Sequence, residues 1–64
     1  MANWRRYQNL NGDYIYLNLS VAIEIRSDGA GHTWISFPNG KGLHSVLVTE
    51  PPDTVFDEAE HSNS

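Results

Sequence analysis

Four clusters of turn-forming residues cut this chain into pieces too short for anything but strands and one small helix. Asn11-Gly12 supports a hairpin turn, because Asn and Gly best tolerate the positive φ that a type I′ turn needs at both central residues. Ser27-Asp28-Gly29-Ala30-Gly31 is a longer glycine-rich connection, Pro38-Asn39-Gly40-Lys41-Gly42 is a third turn, and Pro51-Pro52 is a stop. Between them lie runs rich in β-branched and aromatic residues at 4–9, 14–18, 21–26, 33–37 and 43–49. Runs of that length bounded by turns read as antiparallel strands. Asn18-Leu19-Ser20 separates the second and third runs and predicts a bend or a single 3₁₀ turn.

Residues 1–52 therefore read as one antiparallel β domain, and 53–64 as a short helix or acidic tail. The helix would start from Asp53 or Thr54 as N-cap, with Val55, Phe56 and Ala59 on its apolar side. A peptide that short is not helical alone, so Phe56 is expected to dock on the sheet. The polar ending His61-Ser62-Asn63-Ser64 is expected to fray. The architecture predicted is a four- or five-stranded antiparallel meander, with curling toward an SH3-like barrel as its main variant.

Alternation sorts the faces. With Asn11-Gly12 as a two-residue loop, Tyr7 would lie opposite Tyr16, Asn9 opposite Tyr14 and Arg5 opposite Asn18, all on one face. Trp4, Arg6 and Gln8 would share the other face with Leu19, Leu17 and Ile15. The predicted core centre is Ile15, Leu17, Ile23, Ile25, Ile35 and Phe37. The fifth run has Leu43 and Leu47 on one side and Val46 and Val48 on the other. A strand apolar on both sides reads as central or covered.

A chain of 64 residues buries only about 60% of the surface its unfolded form exposes. Small domains commonly add disulfides, a metal or a partner subunit. The absence of cysteine removes disulfides, thiolate metal sites and a thiol nucleophile together, and is in keeping with a reducing cytoplasm. Tight packing or self-association is left, and Leu43, Leu47, Val46 and Val48 are the candidate interface. No run approaches the roughly 18 apolar residues of a membrane helix, and no apolar stretch follows Arg5-Arg6 as a secretory signal requires. A soluble cytoplasmic protein is the expectation.

Charge is uneven. Residues 1–49 carry four basic groups (Arg5, Arg6, Arg26, Lys41) against three acids (Asp13, Glu24, Asp28), a balance of +1. Residues 50–64 carry Glu50, Asp53, Asp57, Glu58 and Glu60 with no Lys or Arg, a balance of −5. Four scattered cations do not make the clustered footprint of a nucleic-acid binder. His32, His44 and His61 show no short-spaced pair of the kind zinc sites use, so no metal or other cofactor is expected. His44, Ser45 and an acid could compose a hydrolytic triad on paper, but no G-x-S-x-G elbow is present. Asp57, Glu58 and Glu60 read as a solvated helix face rather than an acid–base pair. Asp28-Gly29-Ala30-Gly31 lacks the lysine and following helix of a phosphate loop.

The functional signal that remains is aromatic. Tyr7, Tyr14 and Tyr16 are expected on one sheet face near Arg5, with Trp34 joining them. Such a face can stack bases, arginine adding cation–π attraction, or can form a protein interface. Tyrosines also favour strands and stabilise cross-strand pairs with no further role.

The arrangement Leu10-Asn11-Gly12, Ile15, Leu17-Asn18, Ile23, Ile25, Ile35, Asn39-Gly40, Val46, Glu50 and Val55 resembles the short FlbD-like proteins encoded among flagellar genes. Those share a leucine-asparagine-glycine opening, a strand ending in asparagine, a later asparagine-glycine turn and a valine-rich strand before a helix. The similarity covers about residues 7–56 and implies a small bacterial accessory factor in motility, with no catalytic residues to carry over. The chain departs from that pattern in its aromatic 4–7 segment and its glycine-rich 27–32 turn. Taken together, the sequence predicts a small non-enzymatic protein-interaction or assembly module that self-associates. Single-stranded nucleic-acid binding through the aromatic face is the alternative, and a small hydrolase comes third.

Overall fold

The computed structural model describes residues 2–61; the expectation of fraying at 62–64 lies outside them. The chain is mainly β, with strands β1 (Trp4–Gln8), β2 (Tyr14–Asn18), β3 (Glu24–Ser27), β4 (Thr33–Asn39) and β5 (Gly42–Val48). A 3₁₀ turn, Leu19–Val21, stands between β2 and β3, and helix α1 (Pro52–Glu60) closes the series. The strands form two antiparallel sheets, β1-β2 and β3-β4-β5, and no closed barrel. The predicted mainly β antiparallel class with a short C-terminal helix holds, without the single continuous sheet or the barrel closure that were its finer variants. Their physical obstacle is the 3₁₀ turn, which diverts the chain after β2 so that β2 and β3 do not pair. Among the described residues one backbone bond, Thr49 N–H to the Gln8 carbonyl at 2.9 Å, joins the sheets.

The first hairpin does not use the two-residue turn. Gly12 N–H donates to the Asn9 carbonyl and Asn9 N–H to the Asp13 carbonyl, which leaves Leu10-Asn11-Gly12 as a three-residue loop. Only Gly12 has positive φ (88°), as in a type I turn followed by a left-handed glycine. Asn9 selects this form, because its Oδ1 accepts from both Asn11 N–H and Asp13 N–H at 3.0 Å. The register becomes Tyr7↔Ile15, Arg6↔Tyr16 and Gln8↔Tyr14, one residue from expectation. A one-residue slip exchanges the faces of one strand relative to the other. Tyr7 and Arg5 thus share a face with Ile15 and Leu17, and Trp4 and Arg6 join Tyr14 and Tyr16.

The third hairpin, β4-β5, is tighter than the second, β3-β4, whose loop spans residues 28–32. Asn39 pairs with Gly42 across Gly40-Lys41, and Gly40 alone has positive φ (61°), the pattern of a type II′ turn. Strand β4 is central, and β5 lies at the sheet edge, contrary to the covered position its sequence suggests.

Tyr7, Leu19, Ile35, Val48 and Val55 form the core, with Ile15, Leu17, Ile25 and Phe37 packed around them. Burying an aliphatic side chain of this size contributes about 1.5–3 kcal/mol. Ile23 is the miss among the predicted core residues. It is 59% exposed: it precedes β3, its N–H bonded to the Ser36 carbonyl, and its side chain lines an open groove beside the helix. The helix begins with extended Pro51 and has Pro52 in its first turn, so neither Asp53 nor Thr54 caps it. Proline suits that place because its missing N–H would have no intrahelical partner. Val55 docks instead of Phe56, which is exposed. Adjacent helical residues point about 100° apart, so only one of the two can face the sheet. Val55 and Ala59, one turn on, form the inward stripe.

Candidate functional site

The register of the first hairpin gives one continuous outer face of Trp4, Arg6 and Gln8 on β1 with Asn18, Tyr16 and Tyr14 on β2. Trp4, Tyr14 and Tyr16 are 63%, 60% and 64% exposed. Arg6 lies diagonal to Tyr14, and its guanidinium carbon sits 4.7 Å from the ring centroid. Cation–π contact at that range holds the arginine flat against the face at a gain of about 0.5–1 kcal/mol when exposed. The result is three large aromatic surfaces and a fixed cation on a two-stranded scaffold.

The sequence placed different residues here. Tyr14 and Tyr16 are on this face. Tyr7 is buried on the other, where its hydroxyl donates to Glu58 Oε1 at 2.6 Å. Burial, then that carboxylate, raises the Tyr7 phenol far above its ordinary value of 10. Arg5 shares the inward side and donates from Nε to Asn3 Oδ1 at 3.0 Å. Trp34 belongs to the other sheet, half-buried between Arg26 and Leu47 on the side opposite Ile35. Arg6 and Trp4 are the residues that sequence reasoning missed. The signal lay in Asn9-Leu10-Asn11-Gly12-Asp13, where an asparagine can cap a three-residue loop.

The interface candidates divide just as cleanly. Val48 is fully buried and Val46 half-buried on the core side, and neither is free to meet a partner. Leu43 is exposed and Leu47 half-buried on the outer side, opposite Pro38 and Trp34. A second apolar feature is an open groove of about 350 Å³ between the helix and the start of β3, lined by Leu19, Ile23, Ile25, Phe56 and Ala59 with Glu60.

His32 and Asp28 are engaged with each other. Asp28 Oδ1 accepts from Ala30 N–H and His32 N–H, and Oδ2 lies 2.9 Å from His32 Nδ1. Asp28 is held below the usual carboxylate range, first by the Ala30 amide and then by His32. These bonds organise the 28–32 loop and leave its acid committed to structure. Among the described residues no three His, Asp or Glu side chains gather where they could hold a metal ion. Ser45 bonds Ser36 Oγ at 2.9 Å and has no histidine–acid relay beside it. No helix of the described residues is long and apolar enough to cross a membrane.

No family model, curated protein or solved structure matches this chain.

Proposed function

We propose that the protein is a small non-enzymatic interaction and assembly module whose contact surface is the outer face of the first hairpin. The observation that carries this reading is the joint exposure of Trp4, Tyr14 and Tyr16 around the Arg6–Tyr14 stack. Tyr, Trp and Arg are the residues enriched at interface cores, and rigid aromatics lose little conformational freedom when covered. The core does not need them there: Tyr7, Leu19, Ile35, Val48 and Val55 form it without their help. An accessory role in motility, as the FlbD-like resemblance implies, and the cytoplasmic setting expected from composition both fit a module that acts by contact alone.

Single-stranded nucleic acid uses similar aromatic faces, but among the described residues Arg6 is the one β1-β2 cation on this face, and phosphate tracking requires several. The test is cross-linked capture from the source cell with the wild type and with Tyr16→Ala. One specific protein, held by the wild type and lost by a variant of unchanged melting temperature, is the expected result. A Tyr16→Ala variant that melts lower yet captures the same protein would make the face a scaffold. Salt-sensitive binding of an oligonucleotide, lost in the same variant, would favour the nucleic-acid reading.

A further inference from the structure

The geometry points to β5 as a self-pairing edge: two copies of the chain join β5 to β5 antiparallel, about a two-fold axis at Ser45. This deepens the assembly half of the proposed function and uses a different surface from the aromatic face.

The orientation of the backbone follows from the turn between β4 and β5. A two-residue hairpin loop makes its flanking residues, Asn39 and Gly42, a mutually hydrogen-bonded pair, and such pairs alternate along an antiparallel ladder. Phe37↔His44, Ile35↔Val46 and Thr33↔Val48 are then bonded as well. Leu43, Ser45 and Leu47 must aim their N–H and C=O groups away from β4. Two observed bonds agree with this parity. Ser36, of the alternate set on β4, gives its carbonyl to Ile23 N–H on the β3 side, and Thr49, next in the outward set, sends its N–H to Gln8. Beyond the strand ladders, no backbone bond of the described residues reaches Leu43, Ser45 or Leu47.

An open edge is commonly blunted by lysine, proline, an inward charge or a bulge. Strand β5 reads Gly-Leu-His-Ser-Val-Leu-Val and contains none of these, and its first four residues are exposed. The edge is also self-complementary. With Ser45 opposite Ser45 of the second copy, each outward residue meets another outward residue: Leu43 opposite Leu47, Ser45 opposite Ser45, Leu47 opposite Leu43. On the outer side, the row Arg26–Trp34–Leu47 would continue into the second copy's Leu43 and Pro38. The Ser36–Ser45 pair, 2.9 Å apart, would continue into its own image. The two three-stranded sheets become one six-stranded sheet. Strand β5 becomes central in it, as its apolar residues on both sides suggest.

Sedimentation over a wide concentration range, with amide hydrogen exchange at both ends of it, tests the inference. The expected result is a mass of two chains at high concentration, with Leu43, Ser45 and Leu47 amides protected only there. Ser45→Pro removes an outward N–H and no backbone bond to β4; it also removes the Ser45 Oγ–Ser36 Oγ contact, so the monomer should fold at somewhat lower stability. It should raise the dissociation midpoint at least about tenfold through the lost pair of axial hydrogen bonds. Leu43→Lys provides the same test should Ser45→Pro fail to fold. A single-chain mass at every concentration overturns the inference, as does a dimer that survives both substitutions with those amides unprotected. Tyr16→Ala should leave the mass unchanged, which separates failure here from failure of the aromatic face.

Discussion

Tyr7 and Glu58, 51 residues apart in the chain, meet in a 2.6 Å hydrogen bond that ties the first hairpin to the helix. Asn3 adds a second tie from its Nδ2 to the Glu58 carbonyl at 2.8 Å. Tyr7→Phe keeps the buried ring and removes the phenol, and should cost about 1–2 kcal/mol in denaturant unfolding. The pH dependence has a definite sign. A phenol whose folded value is raised contributes stability that is intact below its unfolded value of 10 and is lost as pH rises above it. Melting curves of the wild type should therefore decline above pH 10 more steeply than those of Tyr7→Phe.

Gly12 should tolerate asparagine better than valine. A Cβ there would meet nothing nearer than Gln8 Nε2 at 4.0 Å, so the cost lies in φ +88° rather than in a clash. Gly12→Val should lower stability by about 1–3 kcal/mol, and Gly12→Asn by clearly less, in thermal melts.

Asn18 gathers three hydrogens on one oxygen. Its Oδ1 accepts from Asn3 N–H at 2.9 Å, Ser20 N–H at 3.2 Å and Ser20 Oγ at 2.8 Å. Asn18→Ala should cost about 1–2 kcal/mol as a lost cap, and Asn18→Asp should recover most of it at neutral pH. Chemical denaturation of the three proteins decides the order.

Acid should loosen the 28–32 loop. Asp28 is held below its ordinary value of 3.8, so its contribution is present above that value and is lost as pH falls through the lower, folded one. Asp28→Asn keeps an acceptor for the Ala30 and His32 amides but cannot titrate. Protection of the Ala30 and His32 amides, taken relative to their intrinsic exchange rates at each pH, should fall in strong acid for the wild type and change much less for Asp28→Asn.

Strand positions were legible because turn residues and β-branched runs are local signals. The 3₁₀ turn at Leu19–Val21 and Ile35 in the core followed from the same reading. Register was not legible from Asn11-Gly12 alone, since the competing acceptor was the Asn9 side chain. That single choice moved Tyr7 from the predicted contact face into the core and brought Trp4 and Arg6 out of hiding. Val55, Phe56 and Ala59 were placed on one apolar side with Phe56 docked, whereas the helix start at Pro52 turned Val55 inward and left Phe56 exposed. Several residues of the FlbD-like pattern now have structural tasks: Gly12 and Gly40 in turns, Asn18 as a cap, Ile35 and Val55 in the core. The Glu50 carbonyl receives Thr33 Oγ1 at 2.6 Å. A pattern made of such positions describes how a chain folds rather than what it meets.

The clasp of Asn3 and Tyr7 on Glu58 also orders events in time. Each hairpin closes over a handful of residues, whereas the clasp must bring together segments more than fifty apart. Short closures cost less entropy and come sooner. Loop closure thus predicts that the three hairpins form early and that the docking of Val55 with the Glu58 clasp commits the molecule. Unfolding would run the other way, beginning with the helix lifting from its seat while all three hairpins are still paired. Slowing that departure, rather than strengthening any turn, is how the lifetime of the native state would be lengthened.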